Sequence, residues 1–482
     1  MVISNISRHF PSIGRSVARA LGLTAIIAAF QPASAQLSLS EALRQADRSA
    51  YGNRIAAAET AARKGQAIAP LKGILPSVHF EAGYVRTTDP IGVFGSTLRQ
   101  RSVSQANFDP QRLNYPAALG NHQGAVVLEQ PLLNADAWIG RRSAAYAADA
   151  SRASEEWTRM STRVDVVRAY YGAVLASERA STLRSAARAA HAHVSQAEAL
   201  VRQGLVTKSD ALLASVRAGD VDAQLAEAEG EALTSRRSLA VLLGQNSADG
   251  SVTPLSPSAL PPGERIRAVV SDDTAAIVPV ERADVQAALK GFDAAHADAL
   301  RARSLVIPRV NSFARYDWNS PDRPFAGNKN WTIGIMATWS PFTSPADIAD
   351  LRAASARGDA ARAQADGAQA NARLELEQTR TALQVALARL SIAERAVAQS
   401  AEAHRIVSRK YDGGLAPVVE LLDAQATETQ SALGFSQARW SAIAAAAERL
   451  RALGRDPASL EALDEPAPPA KAPVGSSQQR TP

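Results

Sequence analysis

Residues 411–424 read Tyr-Asp-Gly-Gly-Leu-Ala-Pro-Val-Val-Glu-Leu-Leu-Asp-Ala. Most of the Pro-free stretch at residues 346–416 precedes them, and that stretch would be roughly 107 Å long as one α-helix. Gly414 suits the positive φ angle that often ends a helix, and Pro417 fits the first turn of the next one. The sequence therefore predicts two long helices joined by a tight turn, and a helix of this length is far longer than a globular domain needs.

The same arrangement occurs earlier in the chain, which indicates an internal duplication. A constant offset of 210 residues relates Gly204-Leu205 to Gly414-Leu415, Leu243-Gly244 to Leu453-Gly454, and Pro131 to Pro341. Further upstream, Pro76-Ser77-Val78 matches Pro308-Arg309-Val310 at a larger offset, so the first repeat has the longer loop. We expect one structural unit at residues 36–245, a Pro-rich linker at 246–280, and a second unit at 281–456.

Apolar residues recur at intervals of seven along the long helices. The second repeat has Leu376, Leu383, Leu390 and Val397, and their mates in the first repeat are Val166, Ala173, Ala180 and Ala187. This spacing predicts a left-handed packing seam, and alanine at the seam permits close approach of the helices. A solvated coiled-coil stalk would have the same pattern and is the alternative.

Short stretches of alternating apolar and polar residues precede the long helices. In residues 330–339 one face carries Trp331, Ile333, Ile335, Ala337 and Trp339. Residues 78–84 alternate in the same way and end in Tyr84, whereas 122–130 and 310–318 alternate more weakly. About ten residues with an apolar face and aromatic ends are typical of a membrane-spanning strand, with Trp331, Trp339 and Tyr84 as its aromatic belt.

Four such segments in equivalent places favour a β-barrel over the alternative, a pair of soluble hairpins packed on helices. Four strands cannot close a barrel, because the smallest familiar barrels need about eight. An open sheet edge cannot face lipid, so the strands would have to be shared between chains. Three copies would supply twelve strands, although the sequence alone does not count the copies.

The N-terminus predicts export from the cytoplasm. Residues 1–35 combine three arginines, an apolar run from Ala20 to Phe30, and the small-residue site Ala33-Ser34-Ala35 before Gln36. This pattern is typical of a signal peptide cleaved after Ala35, and the apolar run is too short to span a bilayer. An N-terminal membrane anchor is the alternative.

Composition excludes several classes of function. The 482 residues are 46% hydrophobic but only 5% aromatic, which suits closely packed, Ala-rich helices. The chain contains no Cys, which excludes disulfides, Cys-ligated metals, a thiol nucleophile and lipidation of an N-terminal Cys. Its net charge of +6 is spread along the chain, without the basic, aromatic-interleaved block of a nucleic-acid-binding protein. Common catalytic motifs such as GxSxG and HExxH are absent, so we expect no enzyme activity and no cofactor or metal site.

With these features together, the sequence resembles the TolC family of outer-membrane factors over nearly all of the mature chain, to about residue 456. The two predicted turns, at residues 202–210 and 411–424, are the most specific points of similarity. The resemblance implies a mainly α-helical fold with a small β part, assembled as a homotrimer with twelve strands and twelve long helices. It also implies a passive duct through the outer membrane into the periplasm, for efflux or type I secretion. An inner-membrane pump would supply the energy, and a periplasmic adaptor would bind the hairpin tips.

The resemblance also assigns roles to residues at the tips. Adaptor docking falls on Gly204, Leu205, Val206, Thr207, Gly414, Leu415 and Ala416. Glu420 and Asp423, with Asp210 as the repeat mate of Glu420, resemble the acidic constriction of the periplasmic entrance, and Tyr411 is expected to make an entrance contact. Ala416 stands where the family often has a basic residue, so the closing contacts are expected to differ. The alternative is that Glu420 and Asp423 are ordinary acids near a helix N-terminus.

Two other functions remain open from the sequence. A periplasmic coiled-coil adaptor or spacer would have one hairpin flanked by Gly-rich β-domains, whereas this chain has two hairpins. A secreted enzyme would need a catalytic cluster that the sequence does not contain. The tail at 457–482 is rich in Pro, Ala, Gly and Ser, which predicts disorder.

Overall fold

The computed structural model describes residues 36–245, 254–256, 259–271, 282–340 and 344–464. The predicted signal peptide and much of the predicted linker lie outside these ranges. The helices are α1 (Leu39–Ser49), α2 (Tyr51–Gln66), α3 (Pro90–Arg99), α4 (Pro110–Asn114), α5 (Ala135–Arg202), α6 (Lys208–Leu242), α7 (Gly263–Ser271), α8 (Ala283–Arg303), α9 (Pro345–Asp412) and α10 (Val418–Ala452). The strands are β1 (Ser77–Thr87), β2 (Leu119–Leu133), β3 (Arg309–Ser320) and β4 (Asn328–Thr338).

The duplication is present in the structure, and the long helices of the two repeats match residue for residue. Helices α5 and α9 each have 68 residues, and α6 and α10 each have 35. Both ends of each helix in the second repeat lie 210 positions after the corresponding ends in the first. The first repeat has the longer connection between its strands, residues 88–118 against 321–327, as the sequence predicts.

Each long hairpin reverses direction through a glycine at the end of its first helix. Gly204 has φ 73° and Gly414 has φ 71°, a region that other residues enter at a cost. The N–H of Leu205 donates to the carbonyl of Leu200 at 3.0 Å, and the N–H of Leu415 donates to that of Lys410 at 2.8 Å. This six-to-one hydrogen bond satisfies a free carbonyl at the helix end and defines a Schellman cap.

The helices form one layer whose order changes halfway along its length. On the half nearer the sheet, α2, α5, α8 and α9 lie side by side. On the half nearer the tips, α6 takes the place of α2 and α10 that of α8, so that the order is α6, α5, α10, α9. Helices α5 and α9 run the full length of the layer and connect its two halves.

The largest hydrophobic core lies where the two halves meet. Val166, Tyr170, Leu243 and Ile443 are buried there, together with Leu39 and Leu43 of α1. Within the predicted heptad, Leu383 and Leu390 are buried in this core, and Leu376 and Val397 are half-buried. All four of their mates in the first repeat are buried, so the predicted positions pack inward in both repeats.

The four strands form one antiparallel sheet in the order β1-β2-β3-β4. Because paired residues on antiparallel strands point to the same side, the register assigns every side chain to a face. Val78, Leu128, Ala314 and Ile333 form one row of the apolar face, and Phe80, Val126, Tyr316 and Trp331 form the next. His79, Glu81, Arg315 and Asp317 lie on the opposite, polar face, as the alternation predicts.

The prediction of disorder from residue 457 is wrong for the beginning of the tail. Pro457–Leu463 forms a 3₁₀-helix, and Leu460 and Leu463 are buried in the main core. The Tyr171 hydroxyl donates to Asp464 Oδ1 at 2.7 Å, and burial raises the pKa of this carboxyl. Residues 465–482 lie outside the described ranges.

Pro417 also differs from its predicted position. It is the N-cap of α10, with ψ 158°, and the helix begins one residue later at Val418. Within the described ranges, no helix is both long and apolar enough to cross a membrane.

The caps give a test of the hairpin turns. We expect Gly414→Ala to destabilise the turn by about 1–2 kcal/mol, because alanine at φ 71° brings its Cβ close to the following carbonyl. Gly434→Ala, inside α10 and with open space around it, should stabilise by about 0.5–1 kcal/mol. Thermal unfolding and amide hydrogen exchange at residues 408–420 measure both effects. Equal shifts for the two variants would show that the turn does not require a glycine.

Candidate functional site

The two hairpin tips lie next to each other at the end of the layer farthest from the sheet. A small cluster of buried side chains joins them: Ala197 of α5, Ala214 of α6, and Val418 and Leu422 of α10. Tyr411, near the end of α9, packs against this cluster. The structure therefore brings the two predicted turns together, although they lie about 210 residues apart in the chain.

The apex of each tip is an exposed leucine. Leu205 is 67% exposed and Leu415 is 81% exposed, whereas Val206 and Ala416 beside them are half-buried. Gly204, Thr207 and Gly414 complete the exposed turns. Two large apolar side chains thus face solvent at the end of the molecule, where a binding partner could cover them.

Asp210 is tied to the beginning of α6. Its Oδ2 accepts from the Thr207 N–H at 3.1 Å and from the Thr207 hydroxyl at 2.8 Å, while the Asp210 N–H donates back to Thr207 Oγ1 at 3.3 Å. These contacts form a capping box, which satisfies backbone donors at the helix N-terminus. The carboxylate of Asp210 therefore has a structural role in addition to the predicted one at the constriction.

Glu420 and Asp423 lie in the first two turns of α10, and both are exposed. No side chain caps this helix, because its N-cap is Pro417. Negative charge is favourable near the N-terminus of a helix, where the helix dipole is positive. The structure agrees with the predicted shared face of these residues and also with the simpler interpretation as ordinary acids near a helix N-terminus.

Sequence reasoning missed a basic partner for this acidic pair. Arg217 of α6 lies 3.8 Å from Asp423 Oδ1, and both side chains are more than half exposed. Exposed ion pairs contribute about 0–1 kcal/mol, so this contact adds little to stability. It nevertheless connects the first hairpin to the second. No sequence pattern indicates this contact, because it depends on how α6 and α10 are rotated relative to each other.

Tyr411 lies near Asp210. Burial raises the pKa of the Tyr411 hydroxyl, and the carboxylates of Asp210 and Asp412 raise it further. The hydroxyl therefore remains protonated at neutral pH and is available as a hydrogen-bond donor beside these carboxylates.

Each hairpin also carries a pair of a histidine and a carboxylate above its tip. His191 of α5 lies 2.9 Å from Asp222 of α6, and His404 of α9 lies 2.5 Å from Glu428 of α10. The pKa of the nearby His193 is lowered, first by burial and then by the charge of His404. In the part of the chain that the structure describes, no group of three or more such side chains could hold a metal ion.

The predicted aromatic belt lies at both ends of the apolar face. Tyr84 and Trp331 are near the end of the sheet farthest from the helices, and Trp339 follows β4 at the helical end. All three are exposed, and the indole N–H of Trp339 donates to the carbonyl of Val306 at 3.0 Å. Trp339 lies eight positions after Trp331, or roughly 26 Å along a strand, which approaches the height of an apolar membrane band.

Comparison with known proteins covers most of the chain. The family model described as "Outer membrane efflux protein" matches residues 54–245 and 279–455. No curated protein matches the chain in sequence.

Several solved structures have a similar fold. The CmeC outer membrane channel of Campylobacter jejuni has a TM-score of 0.71 at 17% identity, over 86% of this chain and 85% of that chain. VceC of Vibrio cholerae has 0.71 at 19%, over 87% and 96%. The open state of the MtrE channel of Neisseria gonorrhoeae has 0.67 at 17%, over 87% and 89%.

Proposed function

We propose, given that this chain belongs to the outer membrane efflux protein family, that it is a passive duct formed by three copies in the outer membrane. The observation that carries this proposal is the sheet, which has one apolar face, one charged face and an unpaired strand at each edge. An inner-membrane pump and a periplasmic adaptor would deliver the substrates, for efflux or for type I secretion.

The two faces of the sheet suit lipid on one side and water on the other. Phe80, Trp331 and Ile335 are exposed on the apolar face of the single chain. On the other face, Arg315 donates to Glu81 Oε2 at 2.8 Å, and Asp317 lies 3.7 Å from the same guanidinium. Charged groups of this kind remain hydrated in a water-filled barrel and would be costly against lipid.

The edges of the sheet support sharing between copies. β1 and β4 each pair on one side only, and their other backbone groups cannot stay unpaired in lipid. Pairing β1 of one copy with β4 of the next satisfies these groups and continues the sheet. Three copies give twelve strands, which is enough to close a barrel with a lumen.

The helical layer has edges that fit the same arrangement. α6 and α9 lie at its two sides near the tips, and both keep large apolar side chains exposed in the single chain: Leu212 and Val216 of α6, and Ile392 and Ile406 of α9. Packing α6 of one copy against α9 of the next would cover side chains of this kind and close a tube.

The tips provide the features that a partner and an entrance need. Leu205 and Leu415 are exposed for adaptor docking, with Gly204, Val206, Thr207, Gly414 and Ala416 around them. Glu420, Asp423 and Asp210 would line the constriction, with Tyr411 beside them. Arg217 would supply the positive charge that Ala416 lacks. We place the mature protein, cleaved after Ala35 and without lipid, in the outer membrane and extending into the periplasm.

Native mass and conductance test this proposal together. Protein extracted with detergent from purified outer membranes should have a mass of three chains after the detergent is subtracted, and it should conduct ions in a planar bilayer. A monomer found only in the soluble periplasm would contradict the proposal and favour the non-conducting adaptor or spacer.

Charge substitutions test the entrance. Replacing Glu420 and Asp423 by Gln and Asn should raise conductance and lower the cation-to-anion permeability ratio, because each trimer loses six carboxylates. Arg217→Gln should raise that ratio, because Asp423 loses its counter-charge. Reversal potentials in a KCl gradient measure these effects.

Lys208→Gln serves as the control for Arg217→Gln. It removes one positive charge from the beginning of the same helix, at an exposed position. Equal shifts for the two variants would mean that only net charge matters. Unchanged selectivity in every variant would place the constriction elsewhere.

A matched pair of substitutions tests which face of the sheet meets lipid. Ile333→Lys on the apolar face should cost about 2–4 kcal/mol at the membrane midplane and reduce the amount of assembled trimer. Thr332→Lys, on the adjacent position of the same strand, points to the polar face and should be tolerated. Trimer yield in heat-modifiability gels compares them, and the reverse order of sensitivity would invert the assignment of faces.

A further inference from the structure

We infer that residues 88–118, which connect β1 to β2, fold into the outer mouth of the duct, and that Gln100 is the positioning residue that holds them there. This inference rests on the proposed function, because it needs the polar face of the sheet to line a lumen. It concerns the end of the molecule opposite the hairpin tips.

The segment has a folded structure of its own. Asp89 caps α3 by accepting from the Gly92 N–H at 2.6 Å, and Pro90 occupies the first helical turn. The rings of Phe94 and Phe108 meet edge to face, with centroids 6.0 Å apart. A short 3₁₀-helix and α4 follow before the chain returns to β2. The connection can therefore move or dock as a unit.

Hydrogen bonds of Gln100 dock this unit on the sheet. Gln100 Nε2 donates to Asn121 Oδ1 at 2.8 Å and to the Gly120 carbonyl at 3.1 Å. Asn328 Nδ2 donates in turn to the Gln100 carbonyl at 2.5 Å. The contacts join the segment both to β2, which follows it in the chain, and to β4, which lies on the far side of β3.

The register shows which side of the sheet is covered. Asn121 pairs with Val85 on β1, and Asn319 pairs with Gln123 on β2 and with Asn328 on β4. All of these residues lie on the same side of the sheet as Glu81 and Arg315. The residues that receive the segment therefore lie on the polar face. In the proposed barrel this is the lumen side, so the segment folds inward.

The docking continues as a chain of hydrogen bonds along the wall. Asn121 Nδ2 donates to Asn319 Oδ1 at 2.9 Å, and Asn319 Nδ2 donates to Asp317 Oδ2 at 3.0 Å. Asn121 is 1% exposed and Asn319 is 3% exposed. Both lie near the outer end of the polar face, which water would reach if the segment did not cover it. Buried amides need such partners, and here each amide has one.

The corresponding connection of the second repeat behaves differently. Residues 321–327 turn toward the apolar face, where the ring of Phe325 lies 5.6 Å from that of Trp318. Of the two outer connections, the one in the first repeat is thus the one that covers the polar face. Three copies would place three such segments around the mouth and narrow it. Because Gln100 is held by neutral hydrogen bonds, each of modest net strength, the segment can be released.

Cysteine accessibility tests this inference, since the chain has no cysteine of its own. Thr332 lies on the polar face, opposite Arg315 and deeper in the barrel than Asn328. In intact cells carrying Thr332→Cys, a membrane-impermeant maleimide should reach the thiol slowly. Adding Gln100→Ala should raise the labelling rate by roughly tenfold, which corresponds to about 1.4 kcal/mol of lost anchoring.

The controls separate docking from general disturbance. Gln105→Ala removes an exposed amide from the same segment and should leave the rate unchanged. Asn328→Ala, which removes a second contact between the segment and the sheet, should raise the rate as Gln100→Ala does, so the test does not depend on one variant. Tyr115→Cys, at a residue 82% exposed, should be labelled rapidly in every background and reports that the protein is folded and at the surface.

The outcomes distinguish this inference from the proposed function. Labelling of Thr332→Cys that is equally fast with and without Gln100 would overturn the inference and leave the duct intact. Labelling of Tyr115→Cys but not of Thr332→Cys in any background would also overturn it, because release of the segment would then not open the mouth. No labelling of Tyr115→Cys from outside would contradict the outer-membrane location, and with it both proposals.

Discussion

The two hairpins must be equally long, because their helices pack side by side from the sheet to the tips. One additional residue near the beginning of α9 would rotate every later side chain of that helix by about 100° and move its tip by about 1.5 Å. Leu383 and Leu390 would then leave the core, and Tyr411 would leave its cluster. The constant offset of 210 residues between the repeats follows from this constraint, as does the agreement of all four helix lengths.

Stability is distributed unevenly along the length of the layer. Its middle holds the large core and several buried polar contacts, including Tyr171 with Asp464 and a pair between Arg439 and Glu178. Near the tips, the buried cluster consists mainly of two alanines, a valine and a leucine. Regions with few buried contacts open at lower free energy, so local opening of the helical layer is expected at the tips and not in the middle.

Much of the fold could be predicted from local patterns in the sequence. Alternation located the four strands, the absence of Pro located the long helices, and Gly204 and Gly414 located the turns. Contacts between distant segments could not be predicted in this way, because they depend on how neighbouring helices are rotated. Arg217 with Asp423 and His404 with Glu428 belong to this class. Composition predicts disorder for residues 457–464, but Leu460 and Leu463 are buried in the core, a contact that composition does not indicate.

At the junction of sheet and helices, each strand is connected along the chain to one helix. α2 leads through a 3₁₀ turn into β1, β2 leads into α5, α8 leads into β3, and β4 leads into α9. The helices α2, α5, α8 and α9 accordingly lie in the same order as the strands that they meet. In the proposed assembly, this one-to-one connection means that the calibre of the barrel and that of the tube cannot evolve separately. The bore can change only in whole steps, by the gain or loss of an entire repeat or copy, whereas single substitutions adjust its charge and its two ends.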